Sequence, residues 1–527
     1  MIDLAAALLA TIAFVPLDDR PVTFQQPIML ARIAGVTVEA PPRNVLGRFL
    51  DPGHPDAIAT WIARTAERPD VNALVVSADM LAYGGLIASR IPSPSYDTVS
   101  DRLAKLTEAR SANPRIWTAV FGTIMRAAPT EAGADTAFFA AYPTWLYLKE
   151  YASLHDPPLP SEAARAKELR KLIGPATLNA YLTTRGRDVA VDRLLLQMTQ
   201  QGTIDQLVLG HDDAGPVGIH VKDLRLLQAE LVTGPLARHA SIEPGADELG
   251  MVLVAHALDR IAGWVPRVAV HYSTPNGAAF QDPLEYAPIS TAIDGLVAAC
   301  GGKRVAERPD VALYVRLPAT TAEQDDALLA AIGVDFASGH SVALADLSFF
   351  HSYHKEALFA RRILASGLAS RLDSYASWNT NANTTGTALA EAVAAGAGRR
   401  LHSYNALAHR TFTFVRFLSD YAFNDEVRPN LIATETASNN WPDSPLPPSL
   451  LRTSTEETDS ELRSYGARIL AQLYPEDRIA YISSTLPWGR VFDAAIDVEL
   501  APRPAREKKP FDEEKPGVIR YVRLSKQ

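Results

Sequence analysis

Short, largely apolar runs that stop at charged or amide residues punctuate the first two thirds of the chain. Thr11–Leu17 ends at Asp18-Asp19-Arg20, Ala73–Ser77 at Ala78-Asp79, and Trp117–Ile124 at Met125-Arg126. Leu207–Gly210 ends at His211-Asp212-Asp213, and Val342–Ala345 at Asp346. Runs of this length, separated by stretches of helical periodicity, predict parallel strands buried on both faces. Strand-like segments fall at Thr11–Leu17, Gly35–Ala40, Asn72–Ser77, Arg115–Ile124, Gln206–Gly210, Arg267–Tyr272, Val311–Leu317 and Ser341–Asp346. Helical patterns lie between most of them, as at Pro55–Ala66, Ser95–Arg110, Ala246–Ile261, Ile289–Cys300 and Ala322–Ile332.

This alternation predicts an α/β protein with parallel strands. Its repeat suggests a (β/α)8 barrel-like main domain over residues 11–375. Two doubly wound parallel sheets of about four strands each, split at a helical insertion, explain the same pattern. Residues at about 130–200 are rich in Ala, Leu and Glu with no clear strand, too long a stretch for a simple crossover. They are expected to form a helical insertion or lid ending in a long helix, Thr177–Gln200.

After residue 375 the rhythm changes, and a small C-terminal α+β domain is expected over 376–501. It opens with an Asn- and Thr-rich loop, Ser377–Gly386, followed by helices at Ala388–Ala397, Ala406–Phe423 and Glu461–Leu473. Ile479–Ser484 and Val491–Leu500 predict two strands joined by a turn at Pro487-Trp488-Gly489. Residues 502–527 are Pro- and charge-rich and predict an extended tail.

Composition narrows the class. The 47% hydrophobic and 21% charged fractions are ordinary for a globular protein. The net charge of -9 and the lack of a Lys/Arg block, apart from Arg506-Glu507-Lys508-Lys509, disfavour nucleic acid as a partner. The single cysteine, Cys300, excludes an intramolecular disulfide and a Cys-based zinc or iron–sulfur site. It is expected to be a small buried residue. No apolar stretch is long enough to span a bilayer. Leu4–Ala10 resembles a short signal-peptide core without preceding positive residues. The sequence leaves the compartment open: cytoplasmic as it stands, exported if that run is the remnant of a signal.

In parallel α/β folds ligands bind at the carboxyl ends of the strands, so the polar ends of the apolar runs are the candidate sites. Asp18-Asp19-Arg20 sets two acids beside a guanidinium that could hold a hydroxyl, or could fix the turn as an internal ion pair. Asp79 precedes Tyr83-Gly84-Gly85, where paired glycines allow close backbone approach and Tyr83 could stack on a sugar face. Arg126 ends the fourth run. His211-Asp212-Asp213 puts two carboxyls beside an imidazole, a plausible acid/base or metal-ligand group. Asp247-Glu248 reads as a helix N-terminal pair, or as the Asp–Glu arrangement of glycosidases that use the substrate's acetamido group. Trp378, Asn379 and Asn383 lead into a helix and suit a polyhydroxylated ligand. His351 and His354 are more readily surface or capping residues than metal ligands. There is no G-x-G-x-x-G after a strand, no P-loop, no H-E-x-x-H and no G-x-S-x-G.

The runs Val15-Pro-Leu-Asp-Asp-Arg-Pro21 and Asp79-Met-Leu-Ala-Tyr-Gly-Gly-Leu-Ile-Ala-Ser-Arg90 resemble a bacterial family known only as a domain of unknown function. So do His211-Asp-Asp-Ala-Gly-Pro-Val-Gly218, Gly245-Ala-Asp-Glu248, Trp378-Asn-Thr380 and Pro487-Trp-Gly-Arg490. The resemblance implies common ancestry over nearly the whole chain and one site shared by these clusters. It supplies no activity.

The expected function is a hydrolase acting on a carbohydrate, a glycosidase, on a small-molecule or glycan substrate. Asp213 or Glu248 would be the general acid and Asp212 or Asp247 its orienting partner. Asp18, Asp19, Arg20, Asp79, Tyr83, Arg126, His211, Trp378, Asn379 and Asn383 would hold the substrate. No cofactor is expected on this reading. The alternatives are a metal-dependent hydrolase or isomerase with a divalent metal on Asp18, Asp79, His211 and Asp212, and a non-catalytic sugar-binding or scaffold protein.

Overall fold

The computed structural model describes residues 10–127, 159–212, 215–216, 218–232, 235–348, 358–437 and 445–503. Leu4, Asp213, Val217, His351, His354 and residues 504–527 lie outside them, as does the first part of the expected insertion.

Six parallel strands form the first sheet: β1 (Thr11–Val15), β2 (Thr37–Glu39), β3 (Val71–Ser77), β4 (Trp117–Ile124), β5 (Gln206–His211) and β6 (Ala240–Pro244), in the order β2-β1-β3-β4-β5-β6. Five more form the second: β7 (Arg267–Tyr272), β8 (Lys303–Arg304), β9 (Val311–Arg316), β10 (Ser341–Asp346) and β11 (Ser374–Ala376), in the order β8-β7-β9-β10-β11. All pairings within both sheets are parallel. A closed barrel is not shown; the strands form two sheets, of six and five strands, divided between β6 and β7 rather than at the insertion, across which β4 and β5 pair. The second sheet repeats the 2-1-3-4-5 order of the first five strands of the first. In such a sheet the crevice for a ligand opens where the order reverses, between its first and third strands.

The strands are apolar at successive positions because both faces are covered. Ile12, Phe14, Val75 and Phe121 face one core of the first sheet, while Ala13, Val15, Leu74 and Val76 face another. The first of these cores also holds Leu313, Val315 and Ala345 of the second sheet. The two sheets therefore share a middle layer, built largely from the helices Gln26–Ile33, Leu249–Ala262, Ile289–Ala299 and Asn381–Leu401. Asn381–Leu401 is buried over nearly its whole length. Its Ala- and Gly-rich composition lets backbones approach closely; a Cβ at Gly396 would lie 2.5 Å from Trp264.

Outside the first sheet lie Pro55–Ala66, Tyr96–Ala112, the 26-residue helix Pro175–Gln200 and His220–Leu231. Outside the second lie Ala322–Ala337, Leu358–Ala365, a π-helical stretch Phe417–Val427, and Pro448–Leu473. The antiparallel hairpin of β12 (Asp477–Thr485) and β13 (Ala495–Pro502) packs with them. The segment after residue 375 is thus built onto the second sheet; β11 straddles that position, and the helix Asn381–Leu401 after it belongs to the layer between the sheets. No helix among the described residues is long and apolar enough to cross a membrane.

Candidate functional site

The candidate residues lie at the carboxyl ends of β1 and β3, which flank the reversal point of the first sheet, and of β5 and β6 towards its far edge. After β1 the chain turns sharply into a short π-helical segment, Pro21–Gln25. The Asp18 carboxylate accepts from the Arg20 backbone N–H at 3.0 Å, from Arg20 Nη2 at 2.8 Å and from Thr23 Oγ1 at 2.6 Å. The other edge of the Arg20 guanidinium donates to both oxygens of Asp247, at 2.6 and 3.1 Å. Arg20 is therefore clasped between two carboxylates 229 positions apart in sequence, Asp18 and Asp247, and all three are largely buried. Such bidentate pairs fix orientation as well as charge.

Asp247 and its neighbour Glu248 are both buried but have different partners. Burial pushes the Asp247 carboxyl up and the Arg20 guanidinium offsets this only in part, so Asp247 stays raised. Glu248 is fully enclosed, and burial pushes it well above the usual carboxylate range. Asn383 Nδ2 donates to Glu248 Oε2, while Oε1 has no hydrogen-bond partner. Gly245, at φ 84°, and Gly386 enclose this side chain; a Cβ at Gly386 would sit 2.6 Å from Glu248 Cγ.

Asp212 follows β5 and forms a buried ion pair with Arg90. Asp79 opens the helix Ala78–Tyr83, with Ser77 Oγ accepting from Met80 N at 3.2 Å as the cap. Its Oδ1 accepts from Thr123 Oγ1 at 3.0 Å and its Oδ2 is buried without a partner. Burial pushes this carboxyl up to about 7, Thr123 opposes, and the charges of Asp188 and Asp212 add. The charge of Asp212 acts on both Asp79 and Asp247 and so links the clusters after β3, β5 and β6.

Not every candidate faces those clusters as expected. The Tyr83 ring is covered by the Arg187 guanidinium at 4.5 Å rather than open to a sugar. Trp378 is buried; its Nε1 donates to Thr387 Oγ1 at 3.1 Å and Arg416 lies over its ring at 5.5 Å. Asn379 adopts φ 48° and donates from Nδ2 to Asn383 Oδ1 at 2.7 Å, so it supports the residue that holds Glu248. The Arg126 carbonyl accepts from Arg185 Nη1 at 2.9 Å. His211 is buried with neither ring nitrogen hydrogen-bonded, packed against His220 and Tyr286, and burial holds it well below its ordinary range. Asp213 lies outside the described residues.

Sequence reading missed the contribution of the C-terminal hairpin. The turn after β12 places Trp488 on the site: its Nε1 donates to Asp19 Oδ1 at 2.7 Å and Arg20 lies over the indole at 4.9 Å. Phe49 stacks on the same indole with ring centroids 5.4 Å apart. Phe49 and Trp488 both adopt positive φ, 48° and 58°, a strained state for bulky side chains that concentrates at functional sites. Also missed were Glu285, whose Oε1 accepts from Ala382 N at 2.6 Å, and Asp188 and Asp192 on Pro175–Gln200 beside Asp79. The two strands and their turn at Pro487-Trp488-Gly489 were expected from the sequence and are present, but only the Pro487-Trp-Gly-Arg490 motif hinted that the turn reaches the site.

A family model described as a protein of unknown function, DUF4127, matches residues 12–497. The chain belongs to the DUF4127 family. No curated protein matches the sequence. Among solved structures, "Structure of the carboxyl transferase domain from Rhizobium etli pyruvate carboxylase with 3-hydroxypyruvate" matches at 10% identity and a TM-score of 0.18, over 82% of this DUF4127 chain and 54% of that chain. The chain spans about half the length of that structure, and a likeness at that score carries no argument.

Among the described residues no group of three or more His, Cys, Asp or Glu is arranged to hold a metal ion. The set Asp18, Asp79, His211 and Asp212 is divided instead: Asp18 is taken by Arg20, Asp212 by Arg90, and His211 faces aromatic rings. A cavity of about 690 Å³ lies elsewhere, between Gln26–Ile33, the helix Ala406–Arg416 and β13, and includes Ile28, Met29, Leu407 and Tyr481. None of the candidate residues lines it.

Proposed function

We propose that this DUF4127 protein is a hydrolase acting on a carbohydrate, a glycosidase whose carboxyl groups sit at the strand ends of the first sheet. One observation carries the reading. Two adjacent carboxyls, Asp247 and Glu248, are set apart by their surroundings: one is clasped by the Arg20 guanidinium, the other is sealed with the neutral Asn383 amide on it. Carboxyls held in unlike settings at one set of strand ends are the equipment that acid and base work in glycoside cleavage calls for. In this reading Asp247 and Asp212, each oriented by an arginine, face the sugar and the charge that develops on it. Glu248 holds a proton behind them. Arg20, Asp18 and Asp79 complete the polar wall, and Trp488 supplies an aromatic face.

Kinetics on a panel of 4-nitrophenyl glycosides test it. Asp247→Asn and Asp212→Asn are each expected to lower kcat by about 100-fold or more, in the range of positioned acid–base groups. Full activity in both variants contradicts the assignment. Tight glycan binding by a wild type that turns nothing over identifies a binding protein instead.

A further inference from the structure

Glu248 is enclosed on all sides, so a proton it holds has no direct route to a glycosidic oxygen. The turn between β12 and β13 carries another carboxyl group to the same cluster. Trp488, bonded to Asp19 and stacked on Arg20, seats that turn. The Arg428 Nε–H donating to the Val491 carbonyl at 2.8 Å holds its far side. Asp493 follows. It is less enclosed than Glu248, yet its Oδ2 is buried with no hydrogen-bond partner. The charges that act on it are those of Arg20 and Asp18 after β1, Arg490 on its own turn, and Asp247 after β6.

We propose that Asp493 is the general acid of this site, delivering its proton to the oxygen of the scissile glycosidic bond; the proposal rests on the hydrolase reading above. As the bond from the anomeric carbon to that oxygen breaks, the proton passes from Asp493 and the leaving group departs as an alcohol. Asp493 is left as a carboxylate near Arg20 and Arg490. Water then gives its hydroxyl to the anomeric carbon, and its remaining proton returns to Asp493. One glycoside and one water become one hemiacetal and one alcohol, with no other reactant. The surroundings suit the role. Burial raises the Asp493 carboxyl to about 6, Arg20 and Arg490 pull it down, and Asp18 and Asp247 push it up. A group poised there exists as acid and as base near neutral pH.

Two measurements on the full chain separate this proposal from the reading beneath it. The first is a pH titration of tryptophan fluorescence, which needs no substrate. A transition near pH 6 is expected in the wild type and is expected to vanish in Asp493→Asn and in Trp488→Phe. An Asp493→Asn protein that titrates like the wild type overturns the proposal. The second is turnover of methyl and 4-nitrophenyl glycosides. Asp493→Asn is expected to lose about 100-fold or more on methyl glycosides and less on 4-nitrophenyl glycosides, whose leaving group needs little protonation. Asp493→Glu is expected to recover part of the loss, and unchanged melting temperatures show that the variants fold. Equal activity of wild type and Asp493→Asn on methyl glycosides overturns the role of Asp493 alone. A wild type inert on every glycoside, with the fluorescence transition intact, overturns the hydrolase reading and the role of Asp493 with it.

Discussion

At the scale of single residues, buried charge governs this protein. Arg20 neutralises Asp18 and Asp247 together, so its removal leaves two carboxylates buried and unpaired. Breaking a buried pair in this way costs about 3–5 kcal/mol. Arg20→Ala is expected to lower the urea midpoint accordingly, and Arg20→Lys to recover only part of it because an ammonium cannot bond both acids in a fork. Asp79 makes a prediction of opposite character. Its carboxyl is raised from 3.8 to about 7, so the native chain binds more protons than the unfolded chain between those values. The stability it contributes is complete below pH 3.8 and is lost as pH rises through about 7. Asp79→Asn removes that dependence. Its melting temperature is expected to match the wild type near pH 4 and to exceed it at pH 8, by an amount reflecting a few kcal/mol at most. An offset that is the same at both pH values contradicts this. The sequence displayed Asp18, Arg20, Asp79, His211 and Asp212 because each follows an apolar run. It did not display Asp493 or Glu285, lone acids in loops whose partners come from distant segments.

At the scale of elements, legibility followed burial. β1, β3, β4, β5, β9 and β10 lie inside their sheets and read as unbroken apolar runs. β6 was missed because Ala240-Ser-Ile-Glu-Pro244 lies at a sheet edge and carries polar positions. β8 and β11, of two and three residues, are too short to show a period. The helix Asn381–Leu401 was expected to be short because its first turns are Asn and Thr. The structure extends it back to Asn381, where Thr380 and Asn383 form a capping box and Asn383 reaches Glu248. The absence of a side chain at Gly386 makes room for Glu248. Gly386→Ala gains helix propensity of about 1 kcal/mol but forces a Cβ against Glu248 Cγ, and overpacking of this kind costs about 1–3 kcal/mol. A net loss of stability is expected in thermal denaturation, and a gain contradicts the packing described.

At the scale of the molecule, the strand count could not tell one closed ring from two sheets, since both alternate strand and helix in the same way. The pairing order that separates them depends on which edges meet. Two sheets with one strand order share a helical layer, and the core of that layer draws side chains from both. An apolar layer of this kind couples the halves. Unfolding followed by far-UV circular dichroism and by tryptophan fluorescence is expected to give one coincident transition, whereas two separated transitions would show independent domains. The same arrangement lets the C-terminal hairpin, built on the second sheet, place Trp488 on the strand ends of the first. The central claim is that these ends form one carbohydrate site. A crystal structure of Asp247→Asn grown with an oligosaccharide that the wild type cleaves tests it most directly. A sugar ring within about 3 Å of Arg20 and Asp212 is the expected result; a sugar seated only in the cavity beside Met29 and Leu407, with the acid cluster empty, would contradict it.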